Sequence, residues 1–228
     1  MALGNAQTGK PEKTNVNEQA QPDLIYGFDA LCGWCYGLVP AMRALVAARP
    51  DIRVELLHGG LVTGERVGPY SDMVDYIRGA SARMSAVTGQ ELSPAFFELI
   101  ESEPPIISGS AKPGWAIMQM RALAPEHELA FAHGAQEAHF RDGKDLNDPQ
   151  TYADIAAAHN LPLPNLNGLD RVTEQTPLVR DEFAKASKMG VRSFPTIAVR
   201  GPGDSASYVQ LPSVYDPAEF VALVQQNL

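Results

Sequence analysis

The chain contains one stretch that decides its fold, Ile25-Tyr26-Gly27-Phe28-Asp29-Ala30-Leu31-Cys32-Gly33-Trp34-Cys35-Tyr36-Gly37. The protein has only two cysteines, and both lie in this stretch with two residues between them. A short apolar run before them predicts a buried strand, and apolar side chains at helical spacing after them predict a helix. Two cysteines placed where a strand passes into a helix indicate a redox-active dithiol.

The composition is that of a globular protein and narrows the range of functions. The chain has 228 residues, a net charge of −9 and a pI of about 5.0. A nucleic-acid-binding protein usually has a basic patch, and none is visible in this acidic sequence. No apolar run approaches the roughly 20 residues that a membrane-spanning helix needs. Two cysteines are also too few for a disulfide scaffold.

The first residues differ in composition from the rest. Met1–Gln21 is polar, rich in Asn, Gln, Lys and Thr, and lacks the apolar core of a secretory signal. We therefore expect residues 1–22 to form a flexible tail and the protein to be cytoplasmic. In that reducing compartment, a close cysteine pair is more often catalytic or metal-binding than structural.

The segments around the cysteines predict a strand–helix–strand unit. The pattern favours a strand at Asp23–Leu31, a helix at Cys32–Arg49 and a second strand at Ile52–Leu57. Pro40 falls inside this helix and should kink it, because proline removes a backbone donor and clashes with the preceding turn. Two strands joined by a crossover helix run parallel, with a right-handed connection.

The rest of the chain predicts an insertion followed by a hairpin and a helix. Residues 70–187 are helical in pattern over most of their length, too long and too periodic for a loop. Strands at Gly190–Arg200 and Tyr208–Val214 form a hairpin, and Asp216 caps a last helix. The predicted domains are a discontinuous domain of residues 23–69 and 188–228, and an inserted helical subdomain of residues 70–187.

This order of elements resembles the thioredoxin-like fold. Within that superfamily the chain is similar to the DsbA family of thiol–disulfide oxidoreductases in two motifs, Cys32-Gly33-Trp34-Cys35 and Phe194-Pro195-Thr196. The long insertion and the segment His139-Phe140-Arg141-Asp142-Gly143-Lys144-Asp145-Leu146-Asn147-Asp148 resemble the FrnE-like branch. Relatives of that branch are the kappa-class glutathione transferases and the hydroxychromene-carboxylate isomerases.

The resemblance covers the chain from Asp23 to Leu228. It implies an α/β, thioredoxin-like fold with a large all-helical insertion between the βαβ and ββα halves. It also implies a protein disulfide oxidoreductase or isomerase activity, acting on protein or peptide thiols.

The position of Cys32 predicts the nucleophile of this reaction. At the start of a helix, unpaired backbone N–H groups and the positive end of the helix dipole favour a thiolate. Cys35 lies one turn inside the helix and should be the resolving thiol that attacks the mixed disulfide. Gly33 and Trp34, which lie between the cysteines, would adjust the redox properties of the pair. Strong oxidants of the superfamily often have a histidine before the second cysteine, and because Trp34 carries no charge we expect a less oxidising couple.

The resemblance also gives Pro195 a role. In thioredoxin-like folds the proline at the matching position is cis and packs beside the dithiol, and a cis X–Pro bond costs only about 0.5–1 kcal/mol. Ser193 and Phe194 would line a groove in which an extended substrate pairs like an added strand, with Thr196 after the proline. The alternative is an ordinary proline in an edge strand.

Three further residues should lie near the cysteines in this fold. Asp29 could take up or relay the proton of Cys35, or it could simply cap the helix. The usual buried acid of the family stands six residues before the first cysteine, and here that position is Tyr26. His58 follows the second strand, and ligands gather at the carboxyl ends of strands, but we expect a solvated loop histidine.

Other functions compete with thiol–disulfide exchange. A structural zinc site needs four ligands, and the motif has no further cysteine or paired histidines near it, so we expect no metal. A kappa-type glutathione-dependent transferase or isomerase fits the insertion, but those relatives have a serine or a lone reactive residue in place of Cys32. A non-catalytic, redox-sensing binding module is the third alternative. We expect no bound cofactor, no nucleic-acid or membrane partner, and glutathione at most as a co-substrate.

Overall fold

A computed structural model describes residues 22–201 and 207–228. The predicted flexible tail lies outside the described residues except for Pro22. The described chain combines strands and helices in the predicted order of a strand–helix–strand unit, a helical insertion, and two strands followed by a helix. Within the same residues, no helix is both long enough and apolar enough to cross a membrane.

Four strands form the central sheet. The strands of the described residues are β1 (Leu24–Phe28), β2 (Val54–His58), β3 (Gly68–Pro69), β4 (Ile107–Ser108), β5 (Thr196–Arg200) and β6 (Tyr208–Leu211). The spatial order in the sheet is β2-β1-β5-β6, with β1 and β2 parallel as predicted, and with antiparallel pairs β1–β5 and β5–β6. β3 and β4 form a separate antiparallel pair that the sequence pattern did not predict.

The helices surround this sheet. Those described are α1 (Gly33–Ala48), α2 (Val74–Thr88), α3 (Pro94–Ile100), α4 (Ala111–Leu123), α5 (Glu128–Phe140), α6 (Pro149–Ala158), α7 (Pro177–Lys188) and α8 (Pro217–Asn227). α2 to α7 all lie between β2 and β5 in the sequence, which is the predicted place of the helical insertion. Pro40 lies within α1, as expected from the sequence.

Side-chain caps explain where several helices begin. Ser93, Asp148 and Asp216 each accept hydrogen bonds from backbone N–H groups of the following turn. A proline stands in the first turn of the same three helices, where its missing N–H group would have no helical partner anyway. These signals act within a few residues of the chain, and the helix start predicted at Asp216 is confirmed.

Several predicted elements are shorter in the structure. β1 ends at Phe28 rather than Leu31, and β6 ends at Leu211 rather than Val214. Within the insertion that is predicted to be mostly helical, residues 169–175 contain a single short 3-10 turn. The strand predicted at Gly190–Arg200 begins only at Thr196. The chain enters this strand through a cis peptide bond between Phe194 and Pro195, and proline has no N–H group to donate to a sheet.

The two faces of the sheet pack against different helices. Because side chains alternate along a strand, Tyr26 of β1 lies in a core with α1 and α8, whereas Ile25 packs with Ala186 of α7. The first core continues into the insertion and includes Ile117, Phe131 and Tyr152. The sheet and the insertion therefore share one hydrophobic core, which holds α5 beside the start of α1.

A buried ion cluster also ties the insertion to the sheet. Arg121 of α4 binds the carboxylates of Glu128 and Glu182, each at 2.8 Å. The same guanidinium group donates to the carbonyl oxygen of Leu56 in β2 at 2.6 Å, and Glu182 accepts the N–H group of His58 at 3.3 Å. Burial alone would raise the pKa of Glu182, but the hydrogen bond and charge of Arg121 outweigh it and lower that pKa.

We predict that Glu182→Gln lowers the free energy of unfolding by about 2 kcal/mol at neutral pH, because the charged hydrogen bonds to Arg121 are lost. A carboxylate with a lowered folded-state pKa stabilises the fold above its ordinary pKa of 4.5, and this contribution is lost as the pH falls through the folded value. Urea titrations should therefore show the difference between wild type and variant shrinking below pH 4.5.

Asp181→Asn is the matched control, because the ion pair between Asp181 and Arg180 is exposed and contributes little. Equal losses of stability in the two variants would contradict the role of the buried cluster.

Candidate active site

The two cysteines stand at the junction of β1 and α1. Cys32 is the residue immediately before α1, has an extended backbone and caps the helix. Its Sγ atom accepts a hydrogen bond from the backbone N–H group of Cys35 at 3.4 Å. The first turn of α1, which is described in full, contains no acidic side chain that would oppose a negative charge. The structure thus places the Cys32 sulfur at the N-terminal end of α1, where backbone N–H groups have no helical partner.

The two thiols differ in their surroundings. Both cysteines are free, but Cys35 is completely buried, whereas Cys32 keeps 4% of its surface exposed. Burial, followed by the hydrogen bond with the Cys32 sulfur, raises the pKa of Cys35 well above its ordinary value. One sulfur therefore faces the surface, and the other is a protonated thiol directly behind it.

A distant loop contacts the outer sulfur. The peptide bond between Phe194 and Pro195 is cis, which confirms the prediction for this proline. The Cys32 thiol lies 3.5 Å from the carbonyl oxygen of Phe194, to which it donates. Ser193 is exposed, and its carbonyl oxygen accepts the hydroxyl group of Thr196 at 2.6 Å. The structure therefore brings all four residues of the predicted groove to one side of the dithiol.

The loop after β2 packs against the same place. A Cβ atom at Gly59 would lie 2.1 Å from a ring carbon of Phe194, so only glycine fits at this position. The N–H group of Gly59 donates to the carbonyl oxygen of Phe28 at 3.0 Å, which continues the pairing of β1 and β2 by one residue. The ring of Phe194 thus packs directly on the backbone of Gly59.

Asp29 is buried, with 3% of its surface exposed, and holds the turn before α1. Its carboxylate accepts the N–H groups of Leu31 at 3.0 Å and of Leu61 at 2.7 Å. Burial raises the pKa of this carboxyl group, although both N–H groups act in the opposite direction. Cys32, and not Asp29, caps the helix, so the simple capping alternative is wrong.

Gln136 of α5 belongs to the site, and the sequence analysis missed it. Its completely buried amide nitrogen donates to the carbonyl oxygens of Asp29 and Cys32, both at 3.3 Å. The insertion thus holds the backbone turn that carries Cys32. A glutamine in the middle of a helical pattern gives no signal for such a role.

Residues between and beyond the cysteines complete the surroundings. A Cβ atom at Gly33 would lie 3.0 Å from the sulfur of Met84 in α2, so the insertion also packs closely on this turn. Trp34 stacks at 5.8 Å, in a tilted arrangement, on the ring of Tyr215, which the sequence analysis did not select. Burial and the nearby cysteine sulfurs raise the pKa of Tyr215 to about 12.

The prediction that His58 is a solvated loop residue is wrong. His58 is the last residue of β2 and keeps only 2% of its surface exposed. Its ring packs edge-to-face on Phe28 at 5.6 Å, and its Nε2 atom lies 3.5 Å from a carboxylate oxygen of Glu128. The strand runs one residue further than predicted and is covered by the insertion, which explains the burial.

A cavity of about 520 Å³ is lined by residues other than the two cysteines. It lies between the loop after β2, the β3–β4 pair and the start of α4, and its lining includes Val62, Val67, Pro105, Ile107, Lys112 and Glu174. A narrow crevice shares Ile107 and Asn147 with this cavity and reaches Leu31, the neighbour of Cys32.

The difference in burial between the thiols gives a prediction about their reactivity. We expect iodoacetamide to label Cys32 in the Cys35→Ser protein at least about tenfold faster than it labels Cys35 in the Cys32→Ser protein, since a buried protonated thiol is inert. Mass spectrometry of timed samples at neutral pH measures both rates. Labelling of Cys35 should become fast only after unfolding in urea, and equal rates in the folded proteins would contradict the assignment.

Comparison with solved structures identifies the fold. The cytosolic disulfide reductase DsbM from Pseudomonas aeruginosa superposes with a TM-score of 0.74 at 24% identity, over 89% of this chain and 97% of that chain. The same reductase solved with glutathione gives a TM-score of 0.71 at 23% identity, over the same shares of the two chains, 89% and 97%.

A candidate protein disulfide isomerase from Nitrosomonas europaea superposes with a TM-score of 0.70 at 16% identity, over 91% of this chain and 97% of that chain. No protein-family model matches the chain, and no curated protein matches its sequence. The chain therefore has the thioredoxin-like fold of these disulfide oxidoreductase structures, with a helical insertion between its βαβ and ββα halves.

Proposed function

We propose that this protein exchanges thiols and disulfides in protein or peptide substrates through Cys32 and Cys35. One observation carries the proposal: the Cys32 sulfur lies between the start of α1 and the carbonyl group that precedes a cis-proline, with a second thiol buried behind it. A pair of structural cysteines would need neither a helix N-terminus nor a partly accessible sulfur. The solved structures of similar fold include a disulfide reductase, which supports the same reaction class.

The reaction proceeds in two exchanges. In the reductive direction, the Cys32 thiolate attacks one sulfur of the substrate disulfide, and the other substrate sulfur leaves as a thiolate. Cys35 then loses its proton, attacks the Cys32 sulfur and releases the second substrate sulfur. The substrate gains two electrons, and the two cysteines become a disulfide. The same steps in reverse oxidise a dithiol substrate.

In this proposal an extended substrate binds along the loop beside the dithiol. Ser193 is exposed, Phe194 is half-buried, and both precede cis-Pro195 directly, so a chain that reaches the Cys32 sulfur passes their backbone. Backbone pairing there would give affinity without selecting a sequence. In this proposal Thr196 supports the groove through its hydrogen bond to Ser193.

Asp29, Gly33 and Trp34 tune the dithiol in this proposal. The first two shape the turn before and inside α1, and Trp34 covers its outer side together with Tyr215. None of them places a positive charge beside the thiolate.

Glutathione is the proposed co-substrate that returns the dithiol to its reduced state. The support is the disulfide reductase of similar fold that was solved with glutathione. Its thiol would reduce the Cys32–Cys35 disulfide by the same two exchanges, so no other cofactor is proposed. A cytoplasmic location fits this electron source, and the DsbM reductase is itself described as cytosolic.

Insulin reduction tests the proposed function. We expect the wild-type protein to accelerate the precipitation of insulin by dithiothreitol and to reactivate scrambled ribonuclease, and Cys32→Ser to lose both activities. Cys35→Ser should accumulate a mixed disulfide at Cys32, which non-reducing mass spectrometry detects. Equal activity of wild type and Cys32→Ser would refute the proposal. Conjugation of glutathione to an electrophile by either serine variant would instead support a kappa-type transferase.

The reduction potential tests the effect of the residues between the cysteines. Because Trp34 supplies no charge to stabilise the thiolate, we expect a value below the roughly −120 mV of DsbA. Equilibration with defined ratios of reduced and oxidised glutathione, read from the fraction of protein that retains two free thiols, measures it. Trp34→His should raise the potential, and an unchanged value would contradict this account.

A further inference from the structure

Tyr26 occupies an unusual place behind the dithiol. It stands in the middle of β1, six residues before Cys32, and is completely buried. Its hydroxyl group lies beside Cys35, 3.4 Å from the carbonyl oxygen of that residue. Burial, and next the charges of the two cysteine sulfurs, raise the pKa of Tyr26 well above its ordinary value. The phenol therefore keeps its proton and can act only as a hydrogen-bond donor or acceptor, not as a phenolate base.

A second buried tyrosine provides a reference for a well-formed hydrogen bond from a buried hydroxyl group. Tyr152 is also completely buried, and its hydroxyl group donates to the carbonyl oxygen of Leu146 at 2.7 Å. Hydrogen bonds between oxygens normally measure about 2.5–3.0 Å, so the 3.4 Å contact of Tyr26 is a weak one. A buried donor that is poorly paired costs stability, and its donating capacity is free for another acceptor.

We propose that the Tyr26 hydroxyl group donates a hydrogen bond to the Cys35 thiolate as that thiolate forms in the resolving step. This inference rests on the proposed function. It makes Tyr26 a positioning and charge-stabilising residue for the second exchange.

The other ionisable groups near Cys35 do not donate a hydrogen bond to its thiolate. The Asp29 carboxylate is bound to two backbone N–H groups, and its charge opposes a thiolate at Cys35. Tyr215 is half-buried and stacks on Trp34. The Cys32 sulfur is uncharged within a mixed disulfide and can no longer receive the Cys35 proton. The backbone N–H group of Asp29 and the Tyr26 hydroxyl group are then the donors beside the Cys35 sulfur.

The step balances without a further reactant. In the net step the Cys35 thiol loses one proton, which ends in bulk solvent, and the resulting thiolate accepts a hydrogen bond from the Tyr26 O–H group. The thiolate attacks the Cys32 sulfur, so that the Cys32–Cys35 bond forms and the bond from Cys32 to glutathione breaks. Glutathione leaves as a thiolate and takes a proton from solvent. Tyr26 keeps its own proton throughout.

The test separates the two exchanges. Reduced protein is mixed with oxidised glutathione, quenched with acid at timed intervals and analysed by mass spectrometry, which resolves the mixed disulfide from the intramolecular disulfide. For Tyr26→Phe we expect the mixed disulfide to form at the wild-type rate. We expect it to decay about tenfold more slowly, because the variant loses one hydrogen bond to a charged group. The pH at which the decay reaches half its maximal rate should rise by about one unit.

Two further variants keep the test decisive. Tyr152→Phe removes the hydroxyl group of the other fully buried tyrosine and should change neither rate. Tyr26→Met fills the space with a flexible apolar side chain and should slow the decay as Tyr26→Phe does.

Decay at the wild-type rate in both Tyr26 variants, or equal slowing in Tyr152→Phe, would overturn the inference. Failure of the wild-type protein to form any mixed disulfide would instead refute the proposed function, and the inference would fall with it.

Discussion

The contact between the Cys32 sulfur and the Phe194 carbonyl group is the constraint on which the rest of the site depends. The two residues are 162 positions apart and meet because β1 and β5 are neighbours, with Gly27 opposite Thr196. Glycine is required there, since a Cβ atom would lie 2.7 Å from a methyl carbon of Val191. The register of two strands therefore sets the distance between the nucleophile and the cis peptide bond, and with it the width of any substrate groove.

The helical insertion takes part in the site as well as covering it. Gln136 of α5 holds the carbonyl groups of Asp29 and Cys32, and a Cβ atom at Gly33 would lie 3.0 Å from the sulfur of Met84 in α2. Placing a polar amide in the interior costs free energy unless it is hydrogen-bonded. The apolar core shared by the sheet and the insertion offsets that cost and keeps the turn in one conformation.

Burial divides the chemistry between the two thiols. Cys32 has the helix N-terminus and a partly open surface, so its sulfur can meet a substrate. Cys35 has no contact with solvent, so any negative charge on it must be stabilised by donors of the protein rather than by water. The Asp29 carboxylate is already bound to two backbone N–H groups, so the charge on Cys35 must be stabilised by other groups. In the proposed reaction, a substrate disulfide therefore meets the Cys32 sulfur first and the Cys35 sulfur only through it.

The sequence by itself determined the local elements, the fold and the reacting pair. Strand and helix patterns around Cys32 and Cys35, and the caps of three later helices, depend on interactions within a few residues and are visible in the residue order. The cis bond before Pro195 followed from its resemblance to a known motif. Only the tertiary structure decided that His58 is buried and that Gln136 holds the active-site turn. Burial and hydrogen-bond partners are set by segments more than 100 residues apart, and no local pattern encodes which of them will meet.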